Sequence, residues 1–318
     1  MIIKFFCNEY EQPTRAWYSP TISLAYGLKQ KGIDFFGENN YWFDFESNSY
    51  LISKDQRNYD IAIYSYTYIL QNSITLDSSK YNVLYDHDDG IGTWAKVTHI
   101  PFDLILRTHY TERIEYTKNV KPWVFYIPSF VRNTIKQFHS EEITEDVWIN
   151  HRITEGHPLR THLYKMFVAK LPTEKIFQNI IENEPEKYPS YWAQTGRRYN
   201  PLYLKELSKH RFTFSFGGSI QQEKLIQYDS WRFWESMYSS SIPLHLNLSN
   251  WNCTFPVAPI ENKHYIPILD SSSIENLFEY STKELNEISK QGIEFIEKYY
   301  TEEQLTNYFL ENVQTSHL

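Results

Sequence analysis

The stretch YDSWRFWESMYSSSIPLHLN, residues 228–247, places polar side chains at the start of a segment that otherwise resembles core sequence. Ser230, Arg232 and Glu235 are followed by an apolar run and then by a strand marked by Pro243. Serine is a favoured N-cap residue, so a helix is predicted to begin at Trp231. The bulky residues between the polar ones predict that most of this helix packs into the interior.

Arg232 and Glu235 are three residues apart, so they share one face in the first turn of this helix. The amino end of a helix carries free N–H groups and a partial positive charge, which favour a phosphate. Arginine adds a bidentate contact to a diphosphate, and an acid one turn later can accept hydrogen bonds from two ribose hydroxyls. The spacing fits a nucleoside diphosphate, and it fits equally an ion pair on a solvated helix face.

Outward from this helix, apolar strands alternate with helices in both halves of the chain, which is typical of parallel sheets. A first helix is predicted over 19–33, the polar segment 131–146 is interpreted as a linker, and two helices are predicted near 282–298 and 301–314. We predict an α/β fold of two Rossmann-like domains facing a cleft, with ligands beyond the carboxyl ends of the strands. The predicted strands cover residues 1–7, 33–39, 59–68, 81–90, 102–110, 123–130, 146–153, 175–181, 211–218 and 242–248.

The segment YLKELSKHRFTFSFGG (203–218), together with the helix and strand of 228–247, resembles the C-terminal half of exostosin-like glycosyltransferases of the GT-B fold. The similarity covers about residues 145–300. The chain departs from the family pattern where Ser236, Tyr238 and 239–241 replace common Ala and Gly residues, and where Phe216 stands near a missing proline. The positions in step with the family are Tyr203, Leu204, Leu207, Ser208, Phe212, Gly217, Ser230, Arg232, Glu235, Ile242 and Pro243.

This resemblance implies a nucleoside-diphosphate-sugar donor site in the C-terminal half, with Glu235 on the ribose. It implies a domain for the acceptor at 1–135, a domain for the donor at 136–300, and a helix at 301–318 that returns to the first domain. The implied donor-binding residues are Arg160, Gly217, Gly218, Ser230, Arg232 and Glu235, with Arg152 as the second choice for a basic group. Arg160 is equally compatible with an ordinary surface position beside a helix start.

The segment YNVLYDHDDGIG (81–92) ends an apolar strand in four polar residues, Asp86, His87, Asp88 and Asp89. These acids could hold a divalent ion, supply a general base or acceptor contact, or cap the next helix. We predict Asp88 and His87 as catalytic residues and Asp86 as acceptor-binding, with no metal ligands. His109 is a further histidine near a strand end that could serve as a base.

The loop NEYEQPTRAWYSP (8–20) follows the first strand and is predicted to line the cleft on the acceptor side. Tyr10, Arg15 and Trp17 could stack on a sugar or donate hydrogen bonds to it, because aromatic side chains offer flat apolar faces. Aromatic residues are abundant in this chain, so the same composition is also compatible with ordinary packing.

The chain has 39 acidic and 31 basic residues and a formal net charge of −8, which predicts that nucleic acid is not a partner. Cys7 and Cys253 lack a CxxC or His/Cys cluster, so neither zinc nor a disulfide framework is expected and a reducing compartment is the default. No window approaches about 18 consecutive apolar residues, so no transmembrane segment is expected. A cytoplasmic location is predicted, and peripheral association with a membrane is compatible with it.

Together these features predict a metal-independent glycosyltransferase, working in polysaccharide biosynthesis, that uses a UDP- or GDP-linked sugar and a glycan or glycoconjugate hydroxyl. No cofactor is required by this hypothesis, because basic side chains and a helix end neutralise the leaving diphosphate. Two alternatives remain open from the residues. One is a metal-dependent transferase that uses Asp86 and Asp88, and the other is a non-catalytic nucleotide- or sugar-binding protein of the same fold.

Overall fold

The structure is a computed structural model that describes residues 1–8, 19–44, 47–87, 99–139, 142–151, 158–178, 201–217 and 228–315. Two parallel sheets organise these residues, and the second sheet and one face of the first contribute buried apolar side chains to one continuous cluster. A smaller cluster covers the other face of the first sheet. The α/β class that the alternating pattern predicted is confirmed.

The first sheet has six strands in the order β2-β1-β5-β6-β7-β8, and all neighbouring pairs are parallel. Its central strands are buried along their whole length, as is typical of a parallel sheet covered on both faces. An antiparallel hairpin, β3-β4, pairs separately. The strands are β1 Ile2–Phe6, β2 Asp34–Gly37, β3 Tyr41–Asp44, β4 Ser49–Ile52, β5 Ile61–Ser65, β6 Tyr81–Asp86, β7 Leu104–Arg107 and β8 Val120–Pro122.

Among the described residues of the first half, helices α1 Ser19–Gln30 and α2 Tyr66–Gln71 pack on its strands, and helix α3 Ser129–Lys136 follows β8. The predicted helix at 19–33 is confirmed, and it ends before Gly32, whose φ of +66° is the left-handed conformation that glycine adopts readily. The apolar face of α1 is buried at Ile22, Leu24, Ala25 and Leu28.

Two sequence interpretations near the end of the first half are wrong. The segment 131–146 is not a linker, because α3 occupies its start with Val131 and Ile135 buried, and the next strand begins at Thr144. The strand predicted over 123–130 is observed at Val120–Pro122 instead. Residues 123–127 follow this strand and are buried, so their apolar side chains contribute to the core without forming a strand of their own.

The second sheet has five parallel strands in the order β10-β9-β11-β12-β13. Its strands are β9 Thr144–Trp148, β10 Ile176–Phe177, β11 His210–Phe214, β12 Ile242–His245 and β13 Ile266–Pro267. Its helices are α4 Pro158–Lys170, α5 Pro201–Leu207, α6 Trp231–Tyr238, α7 Ser271–Glu275, α8 Thr282–Tyr299 and α9 Glu302–Thr315, with short 3-10 turns at Thr173–Lys175 and Asn276–Phe278.

Each sheet reverses its strand order at one point: between β1 and β5 in the first sheet and between β9 and β11 in the second. Ligands of such sheets bind in the crevice beyond the carboxyl ends of the strands at this point. In the second sheet, the residues that follow these two strands are 149–151 and 215–217.

The last helix crosses back to the first sheet, where α9 packs on α1. Glu302 accepts a hydrogen bond from Arg132 Nη2 over 2.7 Å and another from the backbone N–H of Ser129. Gly27 of α1 lies against this helix: a Cβ on Gly27 would approach Thr306 Oγ1 to 2.0 Å and the Glu302 carbonyl oxygen to 2.5 Å. The two halves are therefore joined through a close helix pair.

A second connection between the halves runs along a short antiparallel bridge between Thr111 and Cys253. Thr254 N–H donates to the Tyr110 carbonyl over 3.0 Å, and the Tyr228 hydroxyl donates to the same carbonyl.

In the described ranges, no helix is long and apolar enough to span a bilayer.

Candidate functional site

The candidate site lies beyond the carboxyl ends of β9 and β11, at the amino end of α6. The helix begins at Trp231, as the sequence predicts, and Ser230 occupies the N-cap position in an extended conformation (φ −158°, ψ 153°). The Ser230 hydroxyl, however, makes no capping hydrogen bond, so the prediction that its side chain caps the helix is wrong.

Glu235 is buried, with 5 % of its surface exposed, and its Oε2 accepts a hydrogen bond from the Tyr203 hydroxyl over 2.9 Å. The alternative of an ion pair on a solvated helix face is therefore wrong. The helix is enclosed because α6 packs on α8, on β12 and on α3. A buried carboxylate requires hydrogen-bond donors, and Tyr203 is one of them.

Arg232 is partly exposed and lies between two buried side chains. Its Nη1 is 2.7 Å from Nδ1 and 2.9 Å from Nε2 of His151. Its Nε donates to the Tyr203 hydroxyl over 3.4 Å, and its Cζ lies 5.8 Å from the centre of the Tyr203 ring. The guanidinium is thus held by His151, which follows β9, and by Tyr203 on α5.

His151 is 5 % exposed and follows β9 by three residues. Its Nε2 lies 2.5 Å from the carbonyl oxygen of Phe214, the last residue of β11. A carbonyl only accepts, so the network assigns the proton to Nε2 and leaves Nδ1 as the acceptor toward Arg232. Sequence reasoning placed His151 inside the strand predicted over 146–153 and did not identify it as a site residue. Its position just after a buried strand was the signal that could have indicated a place near the ligand.

Tyr203 joins Arg232 to Glu235. Burial, and then the negative charge of Glu235, raise the pKa of the Tyr203 hydroxyl well above its ordinary value. The hydroxyl therefore stays protonated and can donate to the carboxylate at any physiological pH. The four side chains His151, Arg232, Tyr203 and Glu235 form one connected polar group in a largely apolar environment.

The roles of the remaining predicted donor residues stay predictions. Gly217 is buried and follows β11 by three residues. Arg160 is the third residue of α4, the helix that follows β9, and it is partly buried. Gly218 and Arg152 lie outside the described residues.

On the other side of the molecule, the prediction that Asp86 binds the acceptor is wrong. Asp86 ends β6 and Arg107 ends β7; the two residues are in register, fully buried and ion-paired. Burial opposes the charge of Arg107, but Asp86 and the Tyr116 hydroxyl outweigh it and raise the pKa of the guanidinium. The carboxylate of Asp86 therefore neutralises a cation inside the first domain.

His87, a predicted catalytic residue, is 1 % exposed and packs edge-on against Tyr66, with ring centres 5.7 Å apart. It also lies 5.9 Å from the Tyr85 ring. Its role as a base stays a prediction. Asp88 and the predicted acceptor residues Tyr10, Arg15 and Trp17 lie outside the described residues.

His109 is fully buried with a φ of 53°, and its Nδ1 accepts a hydrogen bond from the backbone N–H of Asp229 over 3.1 Å. This contact assigns it to the connection between the halves. Asp229 was missed by sequence reasoning although it immediately precedes the Ser230 cap. Its carboxylate accepts from Phe125 N–H over 2.6 Å and from Trp234 Nε1 over 2.5 Å, and burial raises its pKa to about 7.

Within the described residues, no group of three or more His, Cys, Asp and Glu side chains is arranged to hold a metal ion. Cys7 is free and buried, and Cys253 is free and partly buried. Burial raises the pKa of the Cys7 thiol to about 12, so this thiol is not a ready nucleophile.

The described fold is shared with solved GT-B glycosyltransferases, so the predicted GT-B fold of two Rossmann-like domains is confirmed. An α-glucosyltransferase in complex with UDP and a 13-mer DNA containing an A:G mismatch superposes with a TM-score of 0.63 at 14 % identity, over 98 % of this chain and 99 % of that one. At such low identity the likeness shows the fold alone.

Two further structures give the same result. AviGT4, a glycosyltransferase involved in avilamycin A biosynthesis, has a TM-score of 0.56 at 8 % identity over 98 % and 96 % of the two chains. HepE from Anabaena, in complex with UDP and glucose, has a TM-score of 0.54 at 10 % identity over 99 % and 100 %. No family model and no curated protein matches the sequence, so the exostosin-like resemblance stays a prediction.

The exclusion of nucleic acid from the net charge is wrong. The α-glucosyltransferase that shares this fold over nearly its whole length holds DNA in two structures, one with a mismatch and one with an abasic site. Net charge averages the whole surface, whereas contact with a phosphate backbone requires only a local basic region.

Proposed function

We propose that this protein is a glycosyltransferase that moves a sugar from a nucleoside diphosphate to a hydroxyl group, without a metal ion. The observation that carries the proposal is the connected group of the partly exposed Arg232 with the buried His151, Tyr203 and Glu235 at the amino end of α6, at the strand-order reversal of the second sheet. It supplies a cation and a carboxylate at the place where such a fold binds its ligand.

The leaving diphosphate is the part of the donor that Arg232 would hold. Its guanidinium is partly exposed at the start of a helix whose N–H groups favour a phosphate. The positive charge would neutralise the charge that develops on the diphosphate as the glycosidic bond breaks. Arg160 and the backbone at Gly217 and Gly218 are proposed as further contacts on the same side.

Glu235 would accept hydrogen bonds from the ribose hydroxyls. A carboxylate has about four acceptor positions, so its contact with Tyr203 is compatible with a second donor. We propose UDP rather than GDP as the carrier, because structures of this fold that match the chain over most of its length contain UDP.

The domain assignment follows from the same proposal: residues 136–300 bind the donor, 1–135 present the acceptor, and 301–318 pack back on the first domain. Asp88 and His87 are proposed as bases for the acceptor hydroxyl, with Tyr10, Arg15 and Trp17 as acceptor contacts. A metal-dependent version based on Asp86 and Asp88 is disfavoured, because the Asp86 carboxylate is buried against Arg107.

Nucleotide binding is the first test. Titration calorimetry with UDP, GDP and uridine should give the tightest binding for UDP. Arg232→Ala should reduce the affinity for UDP much more than that for uridine, and Glu235→Gln should reduce both. Equal affinities of the wild type and both variants would show that the nucleotide binds elsewhere.

Turnover is the second test. Release of UDP from UDP-sugars, with a panel of glycan acceptors, should proceed equally with and without EDTA. Loss of turnover in EDTA would establish metal dependence. Nucleotide binding without turnover for any acceptor would favour a binding protein of the same fold.

A second candidate acceptor is DNA, which the neighbour of highest TM-score reported above carries in its complexes. Glycosyl transfer needs a nucleophilic hydroxyl, so the acceptor panel should include duplex DNA with and without hydroxyl groups on its bases. Transfer of label from the UDP-sugar to DNA, dependent on those hydroxyls, would select this acceptor class over glycans.

A further inference from the structure

We propose that His151 is a positioning residue that holds Arg232 toward the diphosphate by accepting a hydrogen bond at Nδ1. The proposal rests on the proposed function, because it concerns how the same site prepares its arginine. It adds a residue that neither the sequence pattern nor the structural likeness assigns.

The direction of each hydrogen bond in this chain of groups is fixed by chemistry. The Phe214 carbonyl can only accept and lies 2.5 Å from Nε2, so Nε2 donates to it. Nη1 of Arg232 can only donate and lies 2.7 Å from Nδ1 and 2.9 Å from Nε2, so Nδ1 is the ring nitrogen that accepts from it. The imidazole between them must be neutral with its proton on Nε2. A protonated imidazole would present an N–H to the guanidinium and would repel it.

Phe214, whose carbonyl accepts the hydrogen bond from His151, lies in a strand that is paired on both sides. Phe214 ends β11, where its neighbours pair with β9 on one side and β12 on the other. His151 itself is 5 % exposed and packs against the Phe214 ring, with centres 5.3 Å apart. The orientation of the imidazole is therefore fixed by its hydrogen bond and ring contact with Phe214 of β11, the central strand of the sheet.

Tyr203 restrains the guanidinium from a second direction. Arg232 Nε donates to the Tyr203 hydroxyl over 3.4 Å. Two of the three guanidinium nitrogens thus have protein partners, and within the described ranges no hydrogen bond from Nη2 is present. Because Arg232 is partly exposed, Nη2 is the nitrogen that remains to meet a phosphate oxygen.

Such pre-orientation lowers the cost of ordering a long, flexible side chain when the ligand binds. Loss of the acceptor at Nδ1 should therefore weaken binding of the diphosphate while leaving the nucleoside contact unchanged. This difference distinguishes positioning of Arg232 from a general structural role of His151.

Two polar substitutions separate the two hydrogen bonds of the imidazole. His151→Asn places an amide oxygen near the position of Nδ1 and keeps the acceptor toward Arg232, but it loses the donor toward Phe214. His151→Gln extends its amide to the position of Nε2 and keeps the donor toward the Phe214 carbonyl, but it loses the acceptor. Both variants are neutral and polar, so their stability should be similar.

The measurement is the affinity ratio of UDP to uridine by calorimetry, for the wild type, the two His151 variants and Arg232→Ala. The exposed His162, on α4 of the same domain, provides the control His162→Gln. We expect His151→Gln to lower the ratio about tenfold and His151→Asn to change it less than threefold. Combining His151→Gln with Arg232→Ala should lower the ratio no further than Arg232→Ala alone.

The reverse order of the two variants, or a fall in uridine affinity equal to the fall in UDP affinity, would show that His151 acts by supporting the fold through Phe214. A wild type that binds UDP normally while all His151 variants match it would overturn the positioning role alone. A wild type that binds neither UDP nor uridine would overturn the proposed function and the positioning role together.

Discussion

The Tyr203 hydroxyl donates to Glu235 Oε2 over 2.9 Å in the buried space between α5 and α6. The two residues lie on α5 and α6, with β11 between the two helices in the sequence, and their contact makes the carboxylate of Glu235 part of the interior. A buried carboxylate oxygen that loses its donor pays its full desolvation cost. The pair therefore links the stability of the second domain to the geometry of its candidate nucleotide site.

Tyr203→Phe removes this donor and the contact with Arg232 Nε. We expect a loss of about 1–3 kcal/mol in the free energy of unfolding, measured by urea denaturation. UDP and uridine affinities should both fall, since Glu235 is then less firmly oriented. The control is Tyr164→Phe, whose hydroxyl bonds Gln178 at the surface. Equal effects of the two substitutions would contradict the role assigned to Tyr203.

The ion pair of Asp86 and Arg107 gives a prediction for the first domain. Both side chains are fully buried, so Arg107→Met leaves an uncompensated carboxylate and should cost about 3–5 kcal/mol. Arg57→Met is the matched control, since Arg57 pairs with Asp34 and Asp55 at the surface and should cost less than about 1 kcal/mol. Urea denaturation measures both.

A double variant tests the assignment further. Asp86→Leu combined with Arg107→Met removes both charges and should be more stable than Arg107→Met alone, because no buried charge is left without a partner. If the double variant is less stable than the single one by the full cost of a second substitution, the two residues are not energetically coupled.

The fold was largely predictable from the sequence because its signals are local. The strands are continuous apolar runs. The helix that begins at Trp231 is preceded by a serine, a common N-cap residue, and contains bulky side chains that pack into the core. The site was predictable only in part. Arg232 and Glu235 lie on one helix and were found together, whereas His151 is 81 residues from Arg232 and meets it only through the packing of β9, β11 and α6.

The same reason explains the errors. Asp86 and Arg107 are 21 residues apart and become partners through the register of β6 and β7, which the sequence does not reveal. The segment 131–146 is polar in composition, but α3 needs only a narrow apolar stripe, including Val131 and Ile135, to be held in place. Composition measures the average of a segment, whereas packing depends on one face of it.

Asp229 predicts a pH dependence of stability. Burial raises its pKa from 3.8 to about 7, although His109 and the N–H groups of Phe125, Trp234 and Ser230 favour the ionised form. The folded state therefore binds a proton more tightly than the unfolded chain. The free energy of unfolding that Asp229 contributes falls as the pH rises from about 4 to 7, by an amount on the order of 4 kcal/mol, and is constant above that range.

Burial also lowers the pKa of His245 and of His264 to about 4, and these groups act in the opposite direction below pH 6.5. The difference between the wild type and Asp229→Asn isolates the carboxyl group, since asparagine does not titrate. Urea denaturation from pH 5 to 8 should show the wild type losing stability relative to the variant as the pH rises. A difference that is independent of pH would refute the raised pKa.

The contact between α1 and α9 predicts an unusual response to alanine. In an exposed helix interior, Gly→Ala stabilises by roughly 0.5–1 kcal/mol, because alanine restricts the unfolded chain. At Gly27 the new Cβ would approach the Glu302 carbonyl oxygen to 2.5 Å and Thr306 Oγ1 to 2.0 Å, and the carbonyl belongs to helix backbone that cannot turn aside. Gly27→Ala should therefore separate α9 from α1 and destabilise the protein by about 1–3 kcal/mol, measured by urea denaturation.

Gly32→Ala is the control: its Cβ would meet nothing within 4 Å, and only its φ of +66° would be strained, at a cost of about 1 kcal/mol. Combining Gly27→Ala with Thr306→Ala should not restore stability, because the backbone contact with Glu302 remains; full recovery in that double variant would mean that α9 is held on α1 less closely than the Gly27 contact implies.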